Sequence, residues 1–232
     1  MTLNDILPFL QIFNTILTVV LNLSPIVGFI SVIKGKEKYT IIPVLMLVFN
    51  LLNNLCWGCY WCRVYRYSPM TCSIICSIIA NIFFFIYLYY FANKYIKKYI
   101  LYLICLLFIE IIIIYVSYYI VQNLTYYGIF LIVINILMFA APGQNLIKVI
   151  KEKNYKLIPI ASTIVGILCS GGWYLYGKIV NDINCIIPNG LGLIFSIFTT
   201  LVWMFYYIRE KILKRKIKFY PEQNNTRDVE IK

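Results

Sequence analysis

The distance between charged residues constrains this chain more than any other feature of its sequence. No Asp, Glu, Lys or Arg interrupts Ile6 to Ile33, Tyr39 to Cys62, Tyr67 to Asn93, Leu157 to Gly177 or Ile183 to Ile208, and Tyr99 to Ile147 holds one acid, Glu110. A hydrocarbon core about 30 Å thick is crossed by roughly 20 apolar residues, so each stretch can span it. The polar group Gln122, Asn123, Leu124, Thr125 divides the longest stretch in two, which predicts seven spans. Each span must be a helix, because lipid offers no partner for backbone N–H and C=O groups. The fold class expected is therefore an all-α membrane protein. Charged residues make up 13% of the chain, against about 25% in soluble domains, which excludes a soluble enzyme. The net charge of +12 does not point to nucleic acid, since no basic groove can be built from uninterrupted apolar stretches. The first span begins within a few residues of Met1 without a basic leader, and reads as a retained helix.

The basic residues set the orientation. Of the 21 Lys and Arg, only Arg63, Arg66 and Lys178 fall on one side of an alternating seven-span path. The other side receives Lys34, Lys36 and Lys38, Lys94 to Lys98, Lys148 to Lys156, and the tail from Arg209 to Lys232. Positive charge collects on the cytosolic side. The carboxyl terminus is thus expected in the cytosol and the amino terminus outside, with the plasma membrane as the expected host.

The chain also repeats itself. Ser24-Pro25 matches Ala141-Pro142 at an offset of 117, Pro43 matches Pro159 at 116, and Gly58, Pro69 and Ser77-Ile78 match Gly177, Pro188 and Ser196-Ile197 at 119. Spans one to three therefore recur as spans five to seven. The fourth span returns the chain to its starting side and makes the two copies parallel, as in transporters whose repeats are related by an axis along the membrane normal. The organisation expected is a first repeat over 1–93, a linker helix over 94–122, a second repeat over 123–209 and a basic tail over 210–232.

In the second copy, Ala141-Pro142, Pro159, Trp173, Tyr176-Gly177, Asp182 and Pro188-Asn189-Gly190 closely resemble the SWEET (MtN3/saliva) sugar transporters. The resemblance implies a facilitative, bidirectional sugar carrier working by alternating access, with a mono- or disaccharide as substrate, homo-oligomers, and no bond made or broken. Four prolines at one depth, Pro25, Pro43, Pro142 and Pro159, lack the amide donor that completes a helical ladder and can form an inner hinge. The family's proline tetrad has that role.

The expected sugar site follows from side-chain chemistry and from the same resemblance. Trp173 offers an apolar ring face to a pyranose, about 21 Å of helix beyond Pro159. Asn189 can donate and accept at once, which suits a sugar hydroxyl. At offset 119 the mate of Asn189 is Met70, whereas an ungapped comparison with the family points to Ser73. Asn54, the mate of Trp173 at offset 119, lies near the midplane and serves either the substrate or a bond between helices.

Glu110 is the one acid within a span, but it stands on the unpaired linker helix and is read as an interfacial group. The repeat helices hold no carboxylate that could couple protons, which favours passive transport. Cys56, Cys59 and Cys62 follow one helix face, no histidine exists, and neither metal nor cofactor is expected. The tail from Arg209 to Lys218 suits anionic lipid. Two other readings share the seven-span duplicated plan: a proton-coupled PQ-loop amino-acid transporter, weakly suggested by Gln144, and a membrane sorting receptor with a charged cavity.

Overall fold

The computed structural model describes residues 3–35, 44–92, 96–138 and 140–219. Among them every regular element is helical, in agreement with the expected class. In chain order these are α1 (Leu3–Leu23), α2 (Ile26–Ile33), α3 (Val44–Arg63), α4 (Tyr67–Ala92), α5 (Ile96–Tyr115), α6 (Leu124–Met138), α7 (Ala140–Glu152), α8 (Ile160–Ile179) and α9 (Ile183–Phe219). A π-helical turn over Val116–Ile120 closes α5, and a short 3₁₀ turn over Tyr155–Leu157 precedes α8. Among the described residues five segments are long and apolar enough to cross a membrane: α1 with α2, α4, α5 with its π turn, α8 and α9. α3, with its three asparagines, and α6 fall within two further stretches that the sequence reads as spans, and the count of seven is not itself established by these helices. The 37 residues of α9 make a helix about 55 Å long, more than a bilayer core requires, so its basic end projects beyond it.

Helix breaks fall where the prolines predict a weakened ladder. Pro25 separates α1 from α2 and Pro159 starts α8, while Pro142 lies within the helical residues of α7. Pro43 and the tail beyond residue 219 lie outside the described residues.

The two copies share one backbone register. α3 and α8 end at 63 and 179, while α4 and α9 begin at 67 and 183, each pair 116 residues apart. The turns between them match bond for bond. Tyr65 and Asn181 take positive φ values of 55° and 54°. The amide of Arg66 donates to the carbonyl of Trp61 at 2.9 Å, and that of Asp182 to Gly177 at 2.9 Å. Val64 to Tyr60 and Met70 to Arg66 likewise recur as Val180 to Tyr176 and Ile186 to Asp182. This corrects the offset of 119 for the later spans, which rested on Gly, Pro and Ser-Ile coincidences in similar apolar helices. The turn sets the register. At 116, Trp173 pairs with Trp57, Tyr176 with Tyr60, Asn189 with Ser73, and Asn54 with Ser170; Met70 pairs with Ile186 and is not the counterpart of Asn189.

Packing differs between the two ends of the molecule. At the Arg63 and Asp182 end a single core joins the repeats, with Cys56, Trp61 and Cys72 of the first copy against Leu131, Trp173 and Tyr176 of the second. Two matched seams carry it, α1 against α8 and α6 against α3. Toward the lysine-rich end, among the described residues, each copy has its own core, Phe29, Leu47 and Phe83 in the first and Leu146, Val149 and Ile158 in the second. A fourth cluster joins Leu106 of α5 to Leu51, Ala80 and Phe84, so the linker helix belongs with the first repeat. Arg63 fastens its end, donating to the carbonyls of Ser117 and Gln122, each at 2.7 Å.

Candidate functional site

The indole ladder forms because α3 and α8 each carry a Trp at the same register position. Trp57 stacks on Trp61 at 5.2 Å with 24° between the rings, and Trp61 stacks on Trp173 at 6.3 Å and 26°. Tyr60 and Tyr176, also register mates, each meet this ladder edge-on. Such offset and edge-on contacts add to the area buried. The ladder crosses from one repeat to the other. Trp173 also donates its indole N–H to Thr18 Oγ1 of α1 at 2.8 Å, and Thr18 contacts Cys169 Sγ at 3.3 Å.

Asn189 lies next to Trp173 through Cys185. Its amide donates to the Cys185 carbonyl at 2.9 Å, and the Cys185 thiol donates to the carbonyl of Trp173 at 3.3 Å. Ser73, its register mate, is buried on α4 opposite Gly58, where a glycine leaves room for the close α3–α4 approach. The structure therefore links Trp173 and Asn189 through Cys185 in the second copy and sets Trp57 and Ser73 at the matching positions of the first.

Asn54 is occupied differently. Its amide donates to Asn22 Oδ1 at 2.9 Å, the same oxygen accepts from Asn50 at 2.8 Å, and Asn22 in turn donates to the Thr18 carbonyl at 2.9 Å. This bracket of three asparagines ties α1 to α3 just before the break at Pro25. The second copy has Gly166 and Ser170 where the first has Asn50 and Asn54, so the bracket has no counterpart there.

The end that joins the repeats is closed by a polar latch. Tyr60 donates to the Asp182 carboxylate, 2.9 Å from each oxygen, and Asn184 Nδ2 donates to the Tyr60 hydroxyl at 3.1 Å. Asp182 also accepts the backbone amides of Asn184 and Cys185, which fixes it as the cap of α9. Asn184 reaches Tyr60 across the bare face of Gly128, where a methyl group would overlap it. In the other seam, Gln11, the counterpart of Gly128, reaches Tyr176 directly at 3.4 Å.

Sequence reasoning missed Trp57, Thr18, Tyr60 and Asn184. Trp57 was within reach, because the Pro43–Pro159 spacing already holds the 116 register. The others depend on which helices meet. Glu110 on α5 faces Asn81 of α4, with Oε1 buried and unpartnered, away from the indole ladder. Among the described residues no group of three or more His, Cys, Asp or Glu could hold a metal ion.

Residues 125–211 match the family described as "Sugar efflux transporter for intercellular exchange". Among curated proteins, "Sugar transporter SWEET1" of Caenorhabditis elegans is 36% identical over 88 residues, covering 38% of this chain and 29% of that protein. "Bidirectional sugar transporter SWEET5" of Arabidopsis thaliana is 34% identical over 34% of the chain and 33% of its own length. "Bidirectional sugar transporter NEC1" of Petunia hybrida is 33% identical over 34% and 30%. The chain thus spans about a third of the length of the curated relatives it matches. The structure of a eukaryotic SWEET transporter superposes with a TM-score of 0.76 at 24% identity, covering 89% of this chain and 99% of that one. This chain carries the fold of that transporter along most of its length and, in its second repeat, a sequence that resembles the SWEET (MtN3/saliva) family.

Proposed function

We propose that this chain is a facilitative sugar transporter, a uniporter whose two three-helix repeats rock against each other. One observation carries the reading: among the described residues the repeats share a core and a polar latch at one end and have separate cores at the other. A molecule joined at only one end can exchange which end is joined. The four prolines Pro25, Pro43, Pro142 and Pro159 supply the hinges, a reading supported by the helix boundaries at Pro25 and Pro159. Trp173 and Asn189, with Trp57 and Ser73 opposite them, bind a mono- or disaccharide between an indole face and paired hydrogen-bonding groups; Asn54 supports that wall through Asn22. The latched end faces outward and the lysine-rich end the cytosol of a plasma membrane, where the basic extension of α9 meets anionic lipid and the chain assembles as a homo-oligomer.

The repeat helices offer no carboxylate within the spans to couple a proton, so flux follows the sugar gradient. The test is counterflow in liposomes holding the purified full chain, with radiolabelled hexose or sucrose, at pH 5.5 and 7.5. Exchange in both directions, with little pH dependence and unchanged by Glu110→Gln, is expected. Accumulation above equilibrium that an uncoupler abolishes would overturn the uniporter, and amino-acid flux without sugar flux would favour the PQ-loop reading.

A further inference from the structure

The two seams that close the latched end are built from matching positions, and one of those positions holds an unpartnered amide in one seam and an apolar side chain in the other. Gln11, Asn14 and Thr18 of α1 face Tyr176, Gly172 and Cys169 of α8. Their counterparts on α6 are Gly128, Leu131 and Asn135, and on α3 Tyr60, Cys56 and Asn53. Gln11 and Thr18 both have partners across the seam. Asn14, between them, is fully buried, and neither its Oδ1 nor its Nδ2 has a hydrogen-bond partner. Its amide fills the space that Gly172 leaves empty, where even a methyl group would overlap it. In the other seam the same position is Leu131, also fully buried and part of the shared core.

An amide that has given up water without gaining a partner destabilises the state that buries it. A leucine at the same place does the opposite. The closed α1–α8 seam therefore carries the penalty of a whole orphaned amide, against one orphaned oxygen, Asn53 Oδ1, in the α6–α3 seam, and the Asn14 penalty disappears when the helices part and the amide meets water. An equilibrium shifts by the difference between its two states.

We propose that Asn14 is a conformational bias residue, whose orphaned amide weakens the closed α1–α8 seam and raises the population of the conformer open at the latched end. This rests on the alternating-access reading only in giving the opening a purpose. The destabilisation itself is a property of the seam.

Native thiols report on it. Cys169 is buried in the α1–α8 seam beside Thr18, Cys56 is buried in the α6–α3 seam, and Cys105 is exposed on the linker helix. The full chain in nanodiscs is treated with N-ethylmaleimide, and the modification of each cysteine is followed by peptide-resolved mass spectrometry. Asn14→Leu is expected to slow Cys169 about tenfold while Cys105 keeps its rate, since loss of one unsatisfied buried group is worth roughly that factor. The mirror variant Leu131→Asn is expected to speed Cys56 by a similar factor. Asn14→Met, more tolerant of shape, repeats the first arm if Asn14→Leu fails to fold. A Cys169 rate within twofold of the parent in a folded Asn14→Leu or Asn14→Met variant overturns the proposal. Slowed Cys169 in a protein that moves no sugar would leave the bias standing and remove the transport reading instead.

Discussion

Tyr65 and Asn181 hold the same left-handed backbone at the same point of the two repeats, with φ values of 55° and 54°. A bulky residue pays for that conformation and asparagine largely escapes the cost. The side chain of Tyr65 is 77% exposed, so little packing is at stake. Tyr65→Asn is expected to stabilise the protein by about 0.5–1 kcal/mol, and Asn181→Tyr to destabilise it by about 1 kcal/mol. Thermal unfolding in detergent measures both. Destabilisation by Tyr65→Asn, or no loss on Asn181→Tyr, would show that the turn is not a shared strained point.

The common register also makes Trp57 the counterpart of Trp173. Trp57→Ala is expected to weaken sugar binding about as much as Trp173→Ala, each by tenfold or more, because each removes an aromatic face worth about 0.5–1.5 kcal/mol beyond its buried area. Asn54→Ala is expected to lower thermal stability more than affinity, since it breaks the bracket to Asn22. Calorimetric titration of the purified variants separates the cases. An affinity loss confined to Asn54→Ala would restore the offset of 119.

Gly128 is expected to be the least replaceable glycine of the latch. An alanine in a helix interior ordinarily gains roughly 0.5–1 kcal/mol over glycine. Here the added methyl overlaps the Asn184 side chain, so Gly128→Ala is expected to destabilise and to release Tyr60 from its amide partner. Combining it with Asn184→Ala removes the clash, and the pair is expected to be strongly non-additive. A double-mutant cycle in melting temperature decides. Additive effects would mean that Asn184 does not depend on the bare face of Gly128.

Arg63 caps the end of the linker helix with both terminal nitrogens, and its guanidinium lies 5.5 Å from the centre of the Tyr127 ring. Hydrogen bonds from a charged donor contribute about 1.5–3 kcal/mol. Arg63→Ala is expected to cost stability in that range, and Arg63→Lys to recover less than half, because an ammonium cannot span two carbonyls as a planar fork does. Thermal unfolding checks it, with full recovery by lysine as the contrary result.

The all-helical membrane class, the repeated pattern, the break at Pro25 and the start of α8 at Pro159 were legible in the sequence. They depend on local quantities: the length of a run without charge, and the missing N–H of proline. The register of the later spans was misread because identical residues recur by chance in helices built from few residue types, whereas the true register is held by backbone bonds such as Arg66 to Trp61 and Asp182 to Gly177. Asn54 shows the same limit. Its amide was expected near the midplane, but a partner in Asn22, 32 residues away, decides how it is used.

By itself, then, the sequence determined that this chain lies in a membrane, as a duplicated set of apolar helices with one helix to spare, because solvation and backbone satisfaction act on each segment separately. Only the tertiary structure decided which residues of the two copies face one another: Trp57 with Trp61 and Trp173, Tyr60 with Asp182, Asn14 with Gly172. Such pairings depend on the contact of helices far apart in the chain, and the side chains on an apolar helix do not mark which of its faces meets another helix and which meets lipid.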